Sequence, residues 1–154
     1  MSLSKSEDQT SFSCRKVDAD EILPLRAKEL RIGQPVDSAR FPEDYLPDTL
    51  HFGAYSDTEL VGCVTFILST NVPLRKWQLR GMATRSGQRL QGVGRTLLQF
   101  AESHLQQHYP GSQIWCNARI GAIPFYRKMG FKVCSDPFEI KGIGMHHKME
   151  KTLL

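Results

Sequence analysis

Residues 76–108 read as a strand, a glycine turn and a helix in immediate succession, and no other stretch limits the fold as tightly. "KWQLRGMAT" (76–84) has the composition of a strand, with Gly81 inside it, where a glycine marks a bulge or a close approach of a neighbouring backbone or ligand. "RLQGVG" (89–94) follows as the turn. Beyond it Val93, Leu97, Ala101 and Leu105 recur at helical spacing, while Arg95, Gln99, Glu102 and Gln106 take the other face. Two glycines let the backbone turn tightly, so that successive N–H groups point into one concavity. The helix N-terminus adds roughly half a positive charge there. With Arg89 and Arg95 on either side, such a turn suits a phosphate or pyrophosphate. Two nucleotide motifs fail on spacing: no lysine follows the glycines as a P-loop requires, and the third glycine of GxGxxG is replaced by Leu97.

The rest of the chain sets this unit in a small domain. At 154 residues, 12–154 is expected to form a single domain, with 1–11 poorly ordered. "FSCRKV" (12–17) alternates as a first strand; Asp18 and Glu21 have the spacing of a capping box, and Ile22, Leu25 and Leu30 line one face of a helix whose first turn holds Pro24. A proline-punctuated segment spans 33–48, and "LHFGAY" and "LVGCVTFIL" read as a hairpin. After Pro110-Gly111 ends the long helix come a strand at 112–118, a short helix at 121–129 capped by Gly130, and two closing strands, "FKVCS" and "IGMHHKMEK". The class is α+β or α/β with a mixed sheet.

Composition narrows the function. A net charge of +4 suits an anionic ligand but is too scattered for nucleic acid, which is not expected as a partner. The longest apolar run is too short to span a membrane, the first sixteen residues hold no signal-peptide core, and four widely spaced cysteines without a CxxC pair fit a reducing, cytoplasmic setting. No His/Cys/Asp/Glu cluster has ligand spacing, so no metal is expected.

The spacing [Q/R]-x-x-G-x-[G/A], met by Arg89, Gly92 and Gly94, resembles the turn of the GNAT superfamily of acyl-CoA-dependent N-acyltransferases. "NARIGAIPFYRKMGFKV" (117–133) is similar to that family's second motif, while "LRGMAT" and "FEIKGIGMHHKM" are similar to the strand before the turn and the closing hairpin of one subgroup. The resemblance covers residues 50–150. It implies a three-layer α+β fold whose central sheet of six to seven strands is mixed, mostly antiparallel and flanked by helices. Many relatives carry asparagine where this chain has Arg119, with Asn117 two residues earlier.

The resemblance implies acetyl-CoA as co-substrate, its pyrophosphate on Arg89, Leu90, Gln91, Gly92, Val93, Gly94 and Arg95. The pantetheine arm would pair with main-chain groups of Met82, Ala83 and Thr84, and Asn117, Arg119, Ala122 and Phe125 would complete the coenzyme site. The implied reaction is N-acetyl transfer to a primary amine of a small molecule or peptide by direct attack, with Tyr126 protonating the leaving thiolate. For the base, His146 is preferred over His51, His147, Glu29 and Glu139, while His104 and His108 read as solvated. Asp37, Glu43, Asp44 and Asp48 offer attraction for a cationic acceptor. The alternatives are a non-catalytic coenzyme A binder, another acyl chain, and a hydroxyl acceptor. Relatives often pair, which allows a homodimer.

Overall fold

A computed structural model describes residues 12–70, 73–86 and 92–153. In chain order it contains β1 (Ser13–Val17), α1 (Ala19–Leu30), a 3-10 turn (Val36–Ala39), β2 (Leu50–Ser56), β3 (Glu59–Thr70), β4 (Lys76–Thr84) and α2 (Val93–His108). There follow β5 (Gln113–Arg119), a 3-10 turn (Ile120–Ala122), α3 (Ile123–Lys128), β6 (Lys132–Val133), β7 (Phe138–Ile140) and β8 (Gly144–Thr152). The strands form one mixed, open eight-stranded sheet in the order β1-β2-β3-β4-β5-β8-β6, with β7 also paired to β8. The expected six to seven strands become eight through β7, whose three residues are too few to carry a period of two; β6 falls within the strand read at "FKVCS". The described residues group into two compact units. One is built on the chain up to Ile67 with Gly81–Ser103, the other on Leu68–Arg80 with His104 onward.

In the first unit β1, β2 and β3 run antiparallel, Val17 opposite His51 and Leu50 opposite Phe66. Asp57 turns the hairpin at φ 56°, a conformation that aspartate tolerates better than most side chains. Both sheet faces are covered, which is why β2 is buried along most of its length. On one face Phe52 meets Phe66 and Phe100 of α2 edge-on, at 5.8 and 6.0 Å between centroids. On the other, Ile22 and Leu25 of α1 pack with Cys63 and Ala83, joined by Val17, Leu30 and Leu60. Each such side chain contributes about 1.5–3 kcal/mol when fully removed from water.

Three sequence expectations are corrected here. Asp18 is the N-cap of α1 but makes no side-chain cap bond, and Glu21 turns instead to Arg15 and the Tyr55 hydroxyl. Pro24 lies in the second turn, as the sixth helical residue. The carbonyl of Asp20, which its absent N–H would have met, belongs to an exposed residue that water serves. Glu102, expected on the outer face of α2, is buried, whereas Val93, Leu97, Ala101 and Leu105 are buried as the periodicity requires.

In the second unit β4 and β5 are parallel, Lys76 opposite Gln113, and β5 and β8 are antiparallel from Gln113–Thr152 to Arg119–His146. Alternation along β5 gives a packed face (Ile114, Cys116, Ala118) and an open face (Gln113, Trp115, Asn117, Arg119). The Trp77 indole donates to Ser112 Oγ at 3.1 Å, and Ser112 donates to the Tyr109 carbonyl at 2.6 Å, which ties the loop after α2 to the sheet. Lys151 Nζ donates to the Met129 carbonyl at 2.6 Å and closes the C-terminal end of α3.

Candidate active site

In the first unit β4 delivers Met82, Ala83 and Thr84 to its strand end, Met82 half-buried, Ala83 buried and Thr84 exposed. The chain beyond is pinned at two points. Arg85 N–H donates to the Val61 carbonyl at 2.9 Å, and Glu29 accepts from both the backbone and hydroxyl of Ser86, at 3.0 and 3.1 Å. Glu29 is therefore engaged in holding the strand exit. Arg89, Leu90 and Gln91 lie outside the described residues. Gly92 follows at φ +82°, a left-handed conformation that favours glycine, and its carbonyl receives the Thr96 N–H at 2.8 Å to start α2. Val93 plugs against β3, where a Cβ on Gly62 would stand 2.9 Å from its Cγ1. The first N–H groups of a sixteen-residue helix, with the exposed Arg95 beside them, give this end its pull on an anion.

The segment 33–49 is anchored by a buried polar network. Arg26 Nη1 and Nη2 hold Asp44 at 2.8 and 3.1 Å, and the same fork donates to the Ala39 carbonyl and to Thr65 Oγ1. His51 Nε2 donates to the Asp44 carbonyl at 2.9 Å. In that tautomer Nδ1 accepts from the Thr65 hydroxyl at 2.8 Å. Burial holds the His51 pKa below its ordinary value, and both ring nitrogens are engaged, so its work in this structure is structural. Asp44 is likewise committed to Arg26, which removes one of the four acids the sequence offered for a cationic acceptor, while Asp37 meets Arg40 at 2.8 Å with its side chain still 82% exposed. The network was missed from sequence. Its one local signal is Arg26 four residues after Ile22, on an otherwise apolar helix face.

The second unit holds Tyr126, Asn117, Arg119, Ala122, Phe125 and both C-terminal histidines. Tyr126 is buried on α3 between the rings of Phe125 and Phe131, at 5.2 and 5.3 Å, beside Cys116 of the packed face. Burial pushes its phenol pKa well above 10, so the group is protonated throughout the physiological range. Burial likewise pushes the neighbouring Cys116 thiol up to about 12. Ala122 is half-buried at the helix start, with Phe125 half-buried one turn later.

Asn117 and Arg119 stand exposed on the open face. His146 shares that face, opposite Arg119, with 3% of its surface exposed, and stacks on Phe138 at 6.0 Å and 25°. Its Nδ1 donates to the Gly144 carbonyl at 2.8 Å, which leaves the lone pair of the neutral ring on Nε2. His147 points to the other face and donates through Nδ1 to the Ser135 carbonyl at 3.0 Å. Glu139 is exposed on β7; His108 is exposed and His104 half-buried against it, with 4.3 Å between rings. No group of metal-ligating side chains occurs among the described residues, and no described helix is long and apolar enough to cross a membrane.

Residues 33–153 match the family described as an acetyltransferase (GNAT) domain. The uncharacterized N-acetyltransferase YitI of Bacillus subtilis (strain 168) is 34% identical over 143 aligned positions, with 90% of this chain and 95% of that protein covered. A putative N-acetyltransferase from Lactobacillus plantarum has the same fold, with a TM-score of 0.77, 19% identity, and 94% and 99% of the two chains covered. Arabidopsis thaliana Naa50, solved with the bisubstrate analogue CoA-Ac-MVNAL, superposes with a TM-score of 0.66, 20% identity, and 92% and 98% covered.

Proposed function

This chain belongs to the GNAT acetyltransferase family, and from that premise we propose that it transfers an acetyl group from acetyl-CoA to a primary amine of a small molecule or peptide. The amine nitrogen attacks the thioester carbonyl, an N–C bond forms as the C–S bond breaks, and coenzyme A leaves as the thiol. The N-terminal end of α2, with the turn from Arg89 to Arg95, takes the coenzyme pyrophosphate. Main-chain groups of Met82, Ala83 and Thr84 take the pantetheine amides, and Asn117, Ala122 and Phe125 are further coenzyme contacts. The cofactor complex of the Arabidopsis relative supports a coenzyme A site in a protein of this fold.

Tyr126 supplies the proton to the departing sulfur. The observation that carries this role is its buried, protonated phenol on α3, at the position of the family's second motif. A phenol held protonated at neutral pH can donate to a departing thiolate. His146 takes the ammonium proton through Nε2, as its fixed Nδ1–H prepares it to do. The setting is a cytoplasm that keeps the buried Cys63 and Cys116 reduced.

The test is the thermal unfolding midpoint with and without acetyl-CoA, with adenosine 3′,5′-bisphosphate as a second ligand. Ligand at about a hundred times its dissociation constant adds roughly 2.7 kcal/mol, a clear rise. Charge reversal at Arg89 and Arg95 should abolish the shift, and amines should then release free thiol from acetyl-CoA. No shift at millimolar ligand sinks the coenzyme reading; a shift without thiol release from any amine makes the chain a binder only.

A further inference from the structure

Arg119 is the register partner of His146 across β5 and β8, on the open face of the sheet. Its side chain is exposed and makes no hydrogen bond or ion pair with another described residue. The neighbouring pair on that face is Asn117 with Lys148, whose Nζ lies 4.9 Å over the Trp115 ring. One strand further, Lys132 pairs with Glu150, the open face's acid at that register. The open face beside the buried His146 is therefore cationic.

We infer that the acceptor is an amine carrying its own anionic group, a carboxylate or a phosphate, a few bonds from the nitrogen. Arg119, which the family resemblance assigned to the coenzyme, binds that group instead, while His146 takes the proton. The inference rests on the proposed role of His146 as base. Paired Cα atoms in antiparallel strands lie about 4.5–5.5 Å apart, so the guanidinium and the imidazole work within the span of one small molecule. The planar fork of arginine meets carboxylate or phosphate through two parallel hydrogen bonds, which fixes the orientation of the molecule as well as its charge. A polyamine or aminoglycoside would bring like charge to the same place, which costs affinity. The sequence suggested a cationic acceptor through the acids of residues 33–49, but Asp44 is buried against Arg26.

The experiment compares thiol release from acetyl-CoA with matched amines: β-alanine against propylamine, phosphoethanolamine against ethanolamine, and putrescine as the dication. Wild type, Arg119→Gln and Arg119→Lys are assayed, and KM for acetyl-CoA is measured in each. The expected result is a preference of tenfold or more in kcat/KM for an anionic amine over its neutral match. Arg119→Gln should erase that ratio, Arg119→Lys should restore part of it, and KM for acetyl-CoA should not change. The carboxylate and phosphate arms say which anion is meant. Turnover that favours neutral or dicationic amines overturns the inference and leaves the transferase standing. So does an Arg119→Gln variant whose loss lies in KM for acetyl-CoA, since Arg119 would then serve the coenzyme. No turnover with any amine removes the transferase reading and this inference together.

Discussion

Arg26 and Asp44, 18 residues apart in sequence, face each other with both guanidinium nitrogens on both carboxylate oxygens, each side chain 1% exposed. Asp44 also accepts the Phe41 N–H at 2.9 Å, and the Phe41 ring lies 3.9 Å from the Arg26 guanidinium carbon. The pair holds residues 39–44 onto α1 and β3. Asp44→Ala strands a buried cation and should cost about 3–5 kcal/mol in urea unfolding. Replacing both, as Arg26→Met with Asp44→Leu, should cost less than the sum of the single changes. Additive losses would show that the two side chains act independently.

His51 makes stability depend on pH in one direction. Its folded pKa is depressed by burial, so below the ordinary value of 6.5 the unfolded chain binds a proton that the folded chain refuses. Its contribution is complete above that value and is lost as pH falls toward the folded pKa. The midpoint of wild type should drop more steeply between pH 7.5 and 5.5 than that of His51→Gln, after allowance for the variant's lower starting stability. Parallel curves would mean that His51 titrates normally.

Gly81 sits at φ +61° inside β4, and a Cβ there would lie 2.9 Å from Arg26 Nε and 3.1 Å from the Phe41 ring. Gly81→Ala combines strain with a clash and should destabilise by about 1–3 kcal/mol or more. Gly33→Ala, at φ +77° in open space, carries the conformational cost alone and is the control. Equal losses at the two sites would mean that the buried guanidinium gives way freely.

Tyr126→Phe removes the proton donor and keeps the ring between Phe125 and Phe131. Turnover should fall by about a hundredfold or more with unchanged coenzyme affinity. His146→Gln should lower kcat/KM comparably, whereas His147→Gln, on the opposite face, should leave it near wild type. Equal losses at the two histidines would contradict the assignment of the base to one face.

Much of this was legible in the sequence because it is local. The strand at 76–84 and the apolar stripe Val93, Leu97, Ala101, Leu105 each carry their period within a few residues, and the structure returns both. The family followed from two motifs with fixed internal spacing, and the matched relatives agree. What escaped depends on distant partners. Nothing near Asp44 marks it as the mate of Arg26, and nothing near His51 says that Thr65 and the Asp44 carbonyl occupy its two nitrogens. Glu102 looked solvated because helical spacing gives the direction of a side chain but not the depth of what covers it. The roles of Tyr126 and His146 were read from motif and strand position, and the kinetic variants above decide them.

The alternation of His146 and His147 on β8 makes strand register a chemical variable. Because successive residues exchange faces, inserting or deleting one residue in the turn at Lys141–Ile143 would slide β8 past β5 and trade one histidine for the other across the sheet. The amino-acid inventory would be almost unchanged, yet the imidazole beside Arg119 would lose its seat against Phe138. Hairpin length is thus a handle by which this scaffold's acceptor chemistry can be retuned without replacing any side chain that performs it.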